Sequence, residues 1–358
     1  MTSNGNTPFI AAAMESPMKM NNVGHKGVVS AVVTGLLDLF SRQDQLPPLD
    51  PGLRLDGKVA LVTGANSGLG KAVAIDLARR GAHLLMVCRS GIPDAGEAVK
   101  QASGNPNVEM LQADLSDLAS VAQLCDRMQA RNIRLDIAVM NAGLMPLHAR
   151  RTPQGHEVMF AVHFLANRLL MARWLEDGVI PRAANRTPSA LPRVVFVSSE
   201  AHQSSPPIDF NRFAAFQDYG IKHGMKFYGL SKLHLTTFVQ ELERRVNGNG
   251  PPQVLFHSLC PGPIASNIAR ESPVYIKPIL SPIMKLLFRS PEQAAEPVML
   301  LACSPDMTEH SNVYLHMMKA KQPSPLALDA LNGKQLWECS APLIQPYLTA
   351  NRRETECL

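Results

Sequence analysis

The chain has 358 residues, of which 46% are hydrophobic and 18% charged, with a formal net charge of +5. That length allows one large or two small globular domains, and the composition excludes collagen-like and wholly disordered classes. The charge is mild and spread along the chain, so nucleic acid is not an expected partner, and a few cations suffice to meet small anionic groups.

The six cysteines (Cys88, Cys125, Cys260, Cys303, Cys339, Cys357) show no C-x-x-C pair and no histidine at metal-ligand spacing. Free thiols in a reducing, intracellular compartment are therefore favoured over disulfides, and no metal is expected.

Residues 1–26 are polar and poor in acids, a composition of disorder. Arginine is absent there, which weakens a transit-peptide reading. The apolar run from Gly27 to Phe40 is short for a bilayer span and is interrupted by Asp38. It reads as a helix packed on the domain, as an interfacial membrane helix or, least favoured, as a cleaved signal. Pro47, Pro48 and Pro51 mark a linker, so residues 1–54 form an N-terminal extension.

The first strand is Val59-Ala60-Leu61-Val62-Thr63, and a glycine-rich turn follows with Gly64, Gly68 and Gly70. An amphipathic run from Lys71 to Arg80 then reads as a helix. Strand, glycine turn and helix open a dinucleotide-binding unit, in which backbone N–H groups and a helix N-terminus meet a pyrophosphate. The spacing is G-x-x-x-G-x-G, so the motif alone is a moderate signal.

Further strands are expected at 83–88, 108–113, 135–140, 193–199 and 253–259, with helices at about 155–176 and 228–246. This alternation predicts an α/β fold, a Rossmann-type doubly wound parallel sheet, as a single domain over 55–340 with a tail at 341–358. Ligands bind at the C-terminal edge of such a sheet. Asn141, Ser199 and Gly262 all end strands and converge there. Residues 177–191, which carry an Asn185-Arg186-Thr187 sequon, and 201–227 read as insertions.

The segments Thr63-Gly64-Ala65-Asn66-Ser67-Gly68-Leu69-Gly70, Asp114-Leu115, Asn141-Ala142-Gly143, Ser199, Tyr228-x-x-x-Lys232 and Pro261-Gly262 come in this order. In this the chain resembles the short-chain dehydrogenase/reductases over about 55–340. Cys88-Arg89, the long gap between Ser199 and Tyr228, and Leu336-Trp337-Glu338-Cys339-Ser340 make it most similar to the retinol-dehydrogenase-type branch.

The resemblance implies a catalytic Ser199, Tyr228 and Lys232. Tyr228 and Lys232, four apart on a helix, share a face. An ammonium beside the phenol is expected to lower its pKa, so that Tyr228 exchanges a proton with a substrate oxygen while hydride moves at the nicotinamide. Ser199 steadies the same oxygen. Cofactor contacts are implied at Gly64, Asn66, Ser67, Gly68, Leu69 and Gly70, at Asp114 and Leu115 for adenine, at Asn141, Ala142 and Gly143 for the adenosine ribose, and at Pro261, Gly262 and Ile264 for the nicotinamide. Tyr228 and Lys232 also touch the cofactor.

At the end of the second strand no acid stands before Asp94, and Arg89 offers a guanidinium to a 2′-phosphate, so the expected cofactor is NADP(H). The family's helix asparagine is replaced by His163, with Asn167 one turn later. His163 is either a core histidine or a proton relay.

The resemblance implies an oxidoreductase acting on a carbonyl or alcohol of a lipophilic substrate of retinoid, steroid or lipid-aldehyde type. An NADPH-binding regulatory module with little turnover is the alternative. An apolar lid is expected over 265–289. Residues 27–40 or 276–288 are candidates for peripheral membrane contact, so the location is read as cytosolic or peripherally membrane-associated.

Overall fold

The computed structural model describes residues 45–182, 191–264 and 289–348. The 27–40 run, the sequon, the 265–288 lid with its candidate membrane face, and Cys357 lie outside them.

The strands are β1 (Val59–Thr63), β2 (His83–Cys88), β3 (Val108–Gln112), β4 (Ile137–Met140), β5 (Arg193–Val197), β6 (Leu255–Cys260), β7 (Tyr314–His316) and β8 (Lys319–Ala320). They form one sheet in the order β3-β2-β1-β4-β5-β6-β7-β8, parallel except for β8, which pairs antiparallel with β7. The order reverses at β1, between β2 and β4, and there the crevice for a ligand opens.

Helices α1 (Gly68–Arg79), α2 (Asp94–Ser103), α3 (Leu118–Ala130), α4 (Val158–Glu176), α5 (Gly224–Val246), α6 (Pro291–Cys303) and α7 (Ala330–Ile344) cover the sheet. Alternation along β1 decides which face each residue serves. Leu61 points to the layer of α3, α4 and α5, with Leu124, Leu169 and Phe238. Ala60 and Val62 point to the layer of α1 and α6, with Val73, Leu77, Val298 and Leu301. Each fully buried leucine or valine contributes about 1.5–3 kcal/mol before ordering costs.

Helix α4 is, among the described residues, the one long and apolar enough to cross a membrane, but its apolar stretch is buried in the protein core. Its residues Ala161–Leu165 form a π-turn around His163.

Six strands are expected from the pattern and eight are present among the described residues, because β7 and β8 have three and two residues, too few to show a period. Helix α5 starts at Gly224, one turn before the expected Tyr228. The proline-rich segment expected as a linker is docked: Leu46 is 3% exposed and its N–H donates to the Met318 carbonyl at 2.7 Å. Part of the expected tail is docked as well. Leu348 is 3% exposed, and the Tyr347 carbonyl accepts from Arg173 Nη1 at 3.2 Å. The five described cysteines are free thiols, four of them buried.

Candidate active site

The glycine turn is built by strand-end packing. Gly64 and Gly68 have φ of +67° and +55°, which an L side chain rarely adopts. A Cβ on Gly70 would meet Asn141 Nδ2 and the Gly64 carbonyl, each at 2.4 Å. Asn141 Nδ2 donates to the Thr63 carbonyl at 2.9 Å, and Thr63 Oγ1 accepts from the N–H groups of Asn141 and Ala142 at 3.0 Å each. The Asn141 side chain therefore clamps the turn from β4.

Ser67 is the N-cap of α1 and makes no capping bond with its own side chain. Its hydroxyl and the first N–H groups of the helix are thus available to an anion, which suits a dinucleotide pyrophosphate.

Beside the turn, Asn66 Nδ2 donates to the Ser90 carbonyl at 3.2 Å and ties the turn to the loop after β2. The Arg89 side chain is 69% exposed, with Nη1 3.9 Å from Asp114 Oδ2. That pair is long and solvated, worth about 0–1 kcal/mol, so an incoming phosphate displaces it cheaply. Asp114 Oδ1 is engaged by Ser116, accepting from N at 2.9 Å and from Oγ at 2.6 Å. The Leu115 side chain is 8% exposed and belongs to the core.

At the other end of the crevice, Gly262 has φ of +83°, and a Cβ there would meet Met317 at 2.9 Å. Ile264 bridges to Arg289, whose Nη1 reaches the Pro261 carbonyl at 3.5 Å.

Ser198 and Ser199 separate cleanly. Ser198 is 2% exposed and its Oγ pairs with Thr236 Oγ1 on α5 at 2.7 Å. Ser199 Oγ accepts from the Ala201 N–H at 3.3 Å and lies close enough to the Tyr228 phenol to pull its pKa down. Lys232 Nζ lies 5.8 Å from the Tyr228 ring centre and donates to the Val197 carbonyl at 2.8 Å.

The expected lowering of the phenol pKa is not what this arrangement does. Burial pushes Tyr228 up to about 12, with the Ser199 hydrogen bond pulling the other way. Burial likewise lowers Lys232 to about 8. The reason is that desolvation disfavours the charged form of each group, and the Lys232 ammonium is spent on the Val197 carbonyl.

His163 is a core histidine held at both nitrogens. The Ser231 hydroxyl donates to the Tyr228 carbonyl at 2.8 Å, so it accepts from His163 Nδ1–H, also at 2.8 Å. His163 Nε2 accepts from the Leu144 N–H at 3.1 Å. Burial first, then the Lys232 charge, push its pKa well below the usual range. The ring is thereby fixed as a neutral Nδ1–H tautomer linking the loop after β4 to α5. Asn167 Nδ2 donates to the His163 carbonyl at 2.8 Å, satisfying an oxygen that the π-turn exposes.

One neighbour escaped the sequence reading. His202, fully buried, approaches the Ser199 carbonyl with Nδ1 at 2.6 Å, while its Nε2 accepts from the Ser324 N–H at 3.1 Å. It ties the backbone of Ser199 to the segment after β8. Ser324 is distant in sequence, so no local pattern announces the link.

A family model described as short chain dehydrogenase matches residues 58–207. Retinol dehydrogenase 13 of Homo sapiens is 33% identical over 298 residues, which is 81% of this chain and 85% of that protein. Retinol dehydrogenase 14 of Mus musculus is 32% identical over 318 residues, 82% and 88% of the two chains. Among solved structures, an uncharacterised protein from Mycobacterium paratuberculosis is similar with a TM-score of 0.61 and 25% identity, covering 83% of this chain and 97% of that one. Identity at this level over most of both chains goes beyond a shared architecture. The chain belongs to the short-chain dehydrogenase/reductases, oxidoreductases that transfer hydride with a nicotinamide dinucleotide, and within them to the retinol-dehydrogenase branch.

Proposed function

We propose that this protein reduces a carbonyl, or oxidises the corresponding alcohol, of a lipophilic substrate using NADP(H), with residues 55–340 as the catalytic domain. The observation that carries the reading is the meeting of Ser199, Tyr228 and Lys232 on one sheet edge, next to the glycine turn. When bound, the cofactor supplies or accepts hydride at the nicotinamide.

Tyr228, protonated at neutral pH, hands its proton to the substrate oxygen in the reductive direction. Ser199 hydrogen-bonds that oxygen as charge develops on it. Lys232 sits between the Tyr228 ring and the strand end, where it meets the nicotinamide ribose. Gly64, Ser67, Gly68, Leu69 and Gly70 cradle the pyrophosphate, Asn66 and Arg89 flank the adenosine ribose, and Asp114 with Leu115 borders the adenine. Asn141, Ala142 and Gly143 form the floor, and Pro261, Gly262 and Ile264 border the nicotinamide. A lipophilic substrate is favoured by the names of the retinol dehydrogenases that this chain is similar to.

The test is NADPH consumption by the full chain with a panel of retinoid, steroid and lipid aldehydes and ketones. Turnover that falls by about 10²–10⁴-fold in Tyr228→Phe, with NADPH affinity kept within a few-fold, supports the reading. Tight NADPH binding with no turnover on the whole panel would instead favour a regulatory module, in which His163 replaces a working relay.

A further inference from the structure

Glu200, Cys260 and His316 come from three different strand ends. Glu200 follows Ser199 beyond β5, Cys260 closes β6, and His316 closes β7. One donor atom from each lies within 4.8 Å of the other two. His316 Nδ1 and Glu200 Oε2 stand 3.0 Å apart, an ion pair when the imidazole is protonated, and neither atom makes a well-aligned hydrogen bond. The neighbouring Tyr314 is 3% exposed, and its hydroxyl is buried near Cys260 and Glu200 with no well-aligned hydrogen bond. Lys321 engages the other carboxylate oxygen, Oε1, and leaves Oε2 turned to the cluster.

Buried polar atoms that converge without partners cost free energy unless a ligand satisfies them together. A proton on His316 pairs it with Glu200 and leaves the Tyr314 hydroxyl without a well-aligned partner. A cation satisfies carboxylate, imidazole and thiol at once. The thiol disfavours magnesium and calcium, which take oxygen ligands. A thiolate, imidazole and carboxylate set suits zinc, with a fourth position left for Tyr314 or water. Donors held about 2.0–2.3 Å from one tetrahedral ion stand roughly 3.3–3.8 Å apart, a spacing within the 4.8 Å that bounds the three donor atoms here.

We propose that Glu200, Cys260 and His316 form a binding site for a zinc-type divalent transition metal, tying the ends of β5, β6 and β7 together beside the candidate catalytic pocket. Glu200 adjoins Ser199 and Cys260 adjoins Pro261, so occupancy fixes both sides of the place where substrate and nicotinamide meet. Lys321 orients the carboxylate ligand from behind.

The test does not depend on turnover. Full-length protein is stripped with a chelator, dialysed against micromolar zinc and measured by elemental analysis, and a parallel sample is loaded with cobalt(II). One retained equivalent of zinc and a thiolate-to-cobalt charge-transfer band are expected. Cys260→Ser should abolish the band at an unchanged melting profile, and His316→Asn should weaken zinc binding by about tenfold or more. Failure to retain zinc overturns the proposal, as does a cobalt–thiolate band that persists in Cys260→Ser. Should Cys260→Ser not fold, unchanged zinc affinity in His316→Asn overturns it equally.

Discussion

Arg89 stands at the end of β2 with its guanidinium 69% exposed and tied to Asp114 only by a 3.9 Å approach. A 2′-phosphate there gains two parallel charge-assisted bonds, each worth roughly 1.5–3 kcal/mol. A preference for NADPH over NADH of about tenfold to a hundredfold or more is expected in fluorescence titrations. Cys88→Asp combined with Arg89→Ile should invert it, because the carboxylate accepts from ribose hydroxyls and repels the phosphate. Equal affinities in the parental protein would remove Arg89 from this role. The residue scale also explains why two adjacent serines differ. Side chains alternate along a strand end, so Ser198 is spent on Thr236 in the core while Ser199 reaches Tyr228.

Helix α4 is legible in the sequence as an element but not in its internal geometry. Its length and apolarity are plain, but the π-turn at Ala161–Leu165 is not, since it follows from the fit between His163, Leu144 and Ser231 across three elements. His163→Phe should leave the Leu144 N–H and the Ser231 hydroxyl with unmet demands, a loss of about 1–3 kcal/mol for each buried group. Turnover should then fall while the pH–rate profile keeps its shape, because a neutral ring with both nitrogens engaged carries no relayed proton. A shifted acidic limb in the variant would show instead that His163 titrates during the reaction.

Over the whole molecule, burial of charge near the site sets a pH dependence. Lys232 is lowered to about 8 by burial, against 10.5 for the free side chain. Between those values the unfolded chain binds more protons than the folded one, so folding becomes more favourable as pH rises. The penalty is fully present below about pH 8, on the order of 3 kcal/mol, and is gone above about pH 10.5. Denaturant unfolding of the parental protein and of Lys232→Met should therefore differ most at neutral pH and converge near pH 10.5. A constant difference across that window would contradict the buried-ammonium account.

The molecule is also closed by a strap before β1. Leu46 is 3% exposed against the second core layer and bonds backbone to backbone with Met318. Leu46→Ala should cost about 2–5 kcal/mol of stability in the same unfolding measurement. Deleting residues 1–50, which removes this strap, should lower stability as well.

The sequence by itself determined the sheet, the glycine turn and the order of the site residues. Each of those is a local signal: a run of Val, Leu and Ala between polar ends, a glycine where φ is positive, a tyrosine and lysine one helical turn apart. Strand–helix alternation then leaves few ways to connect the pieces, which is why Asn141, Ser199 and Gly262 are expected on one edge from the sequence alone. What only the tertiary structure decided depends on contacts between distant segments. The clamp of Asn141 on the Thr63 turn, the fixed tautomer of His163 and the tie from His202 to Ser324 are of this kind. So are the strands β7 and β8, too short to show a period, and the docking of Leu46. The convergence of Glu200, Cys260 and His316 is the clearest instance, since no short spacing marks residues so far apart. Even the ionisation of Tyr228 and Lys232 fell on this side, because desolvation is a property of the packed pocket, and neighbours along a helix do not reveal it.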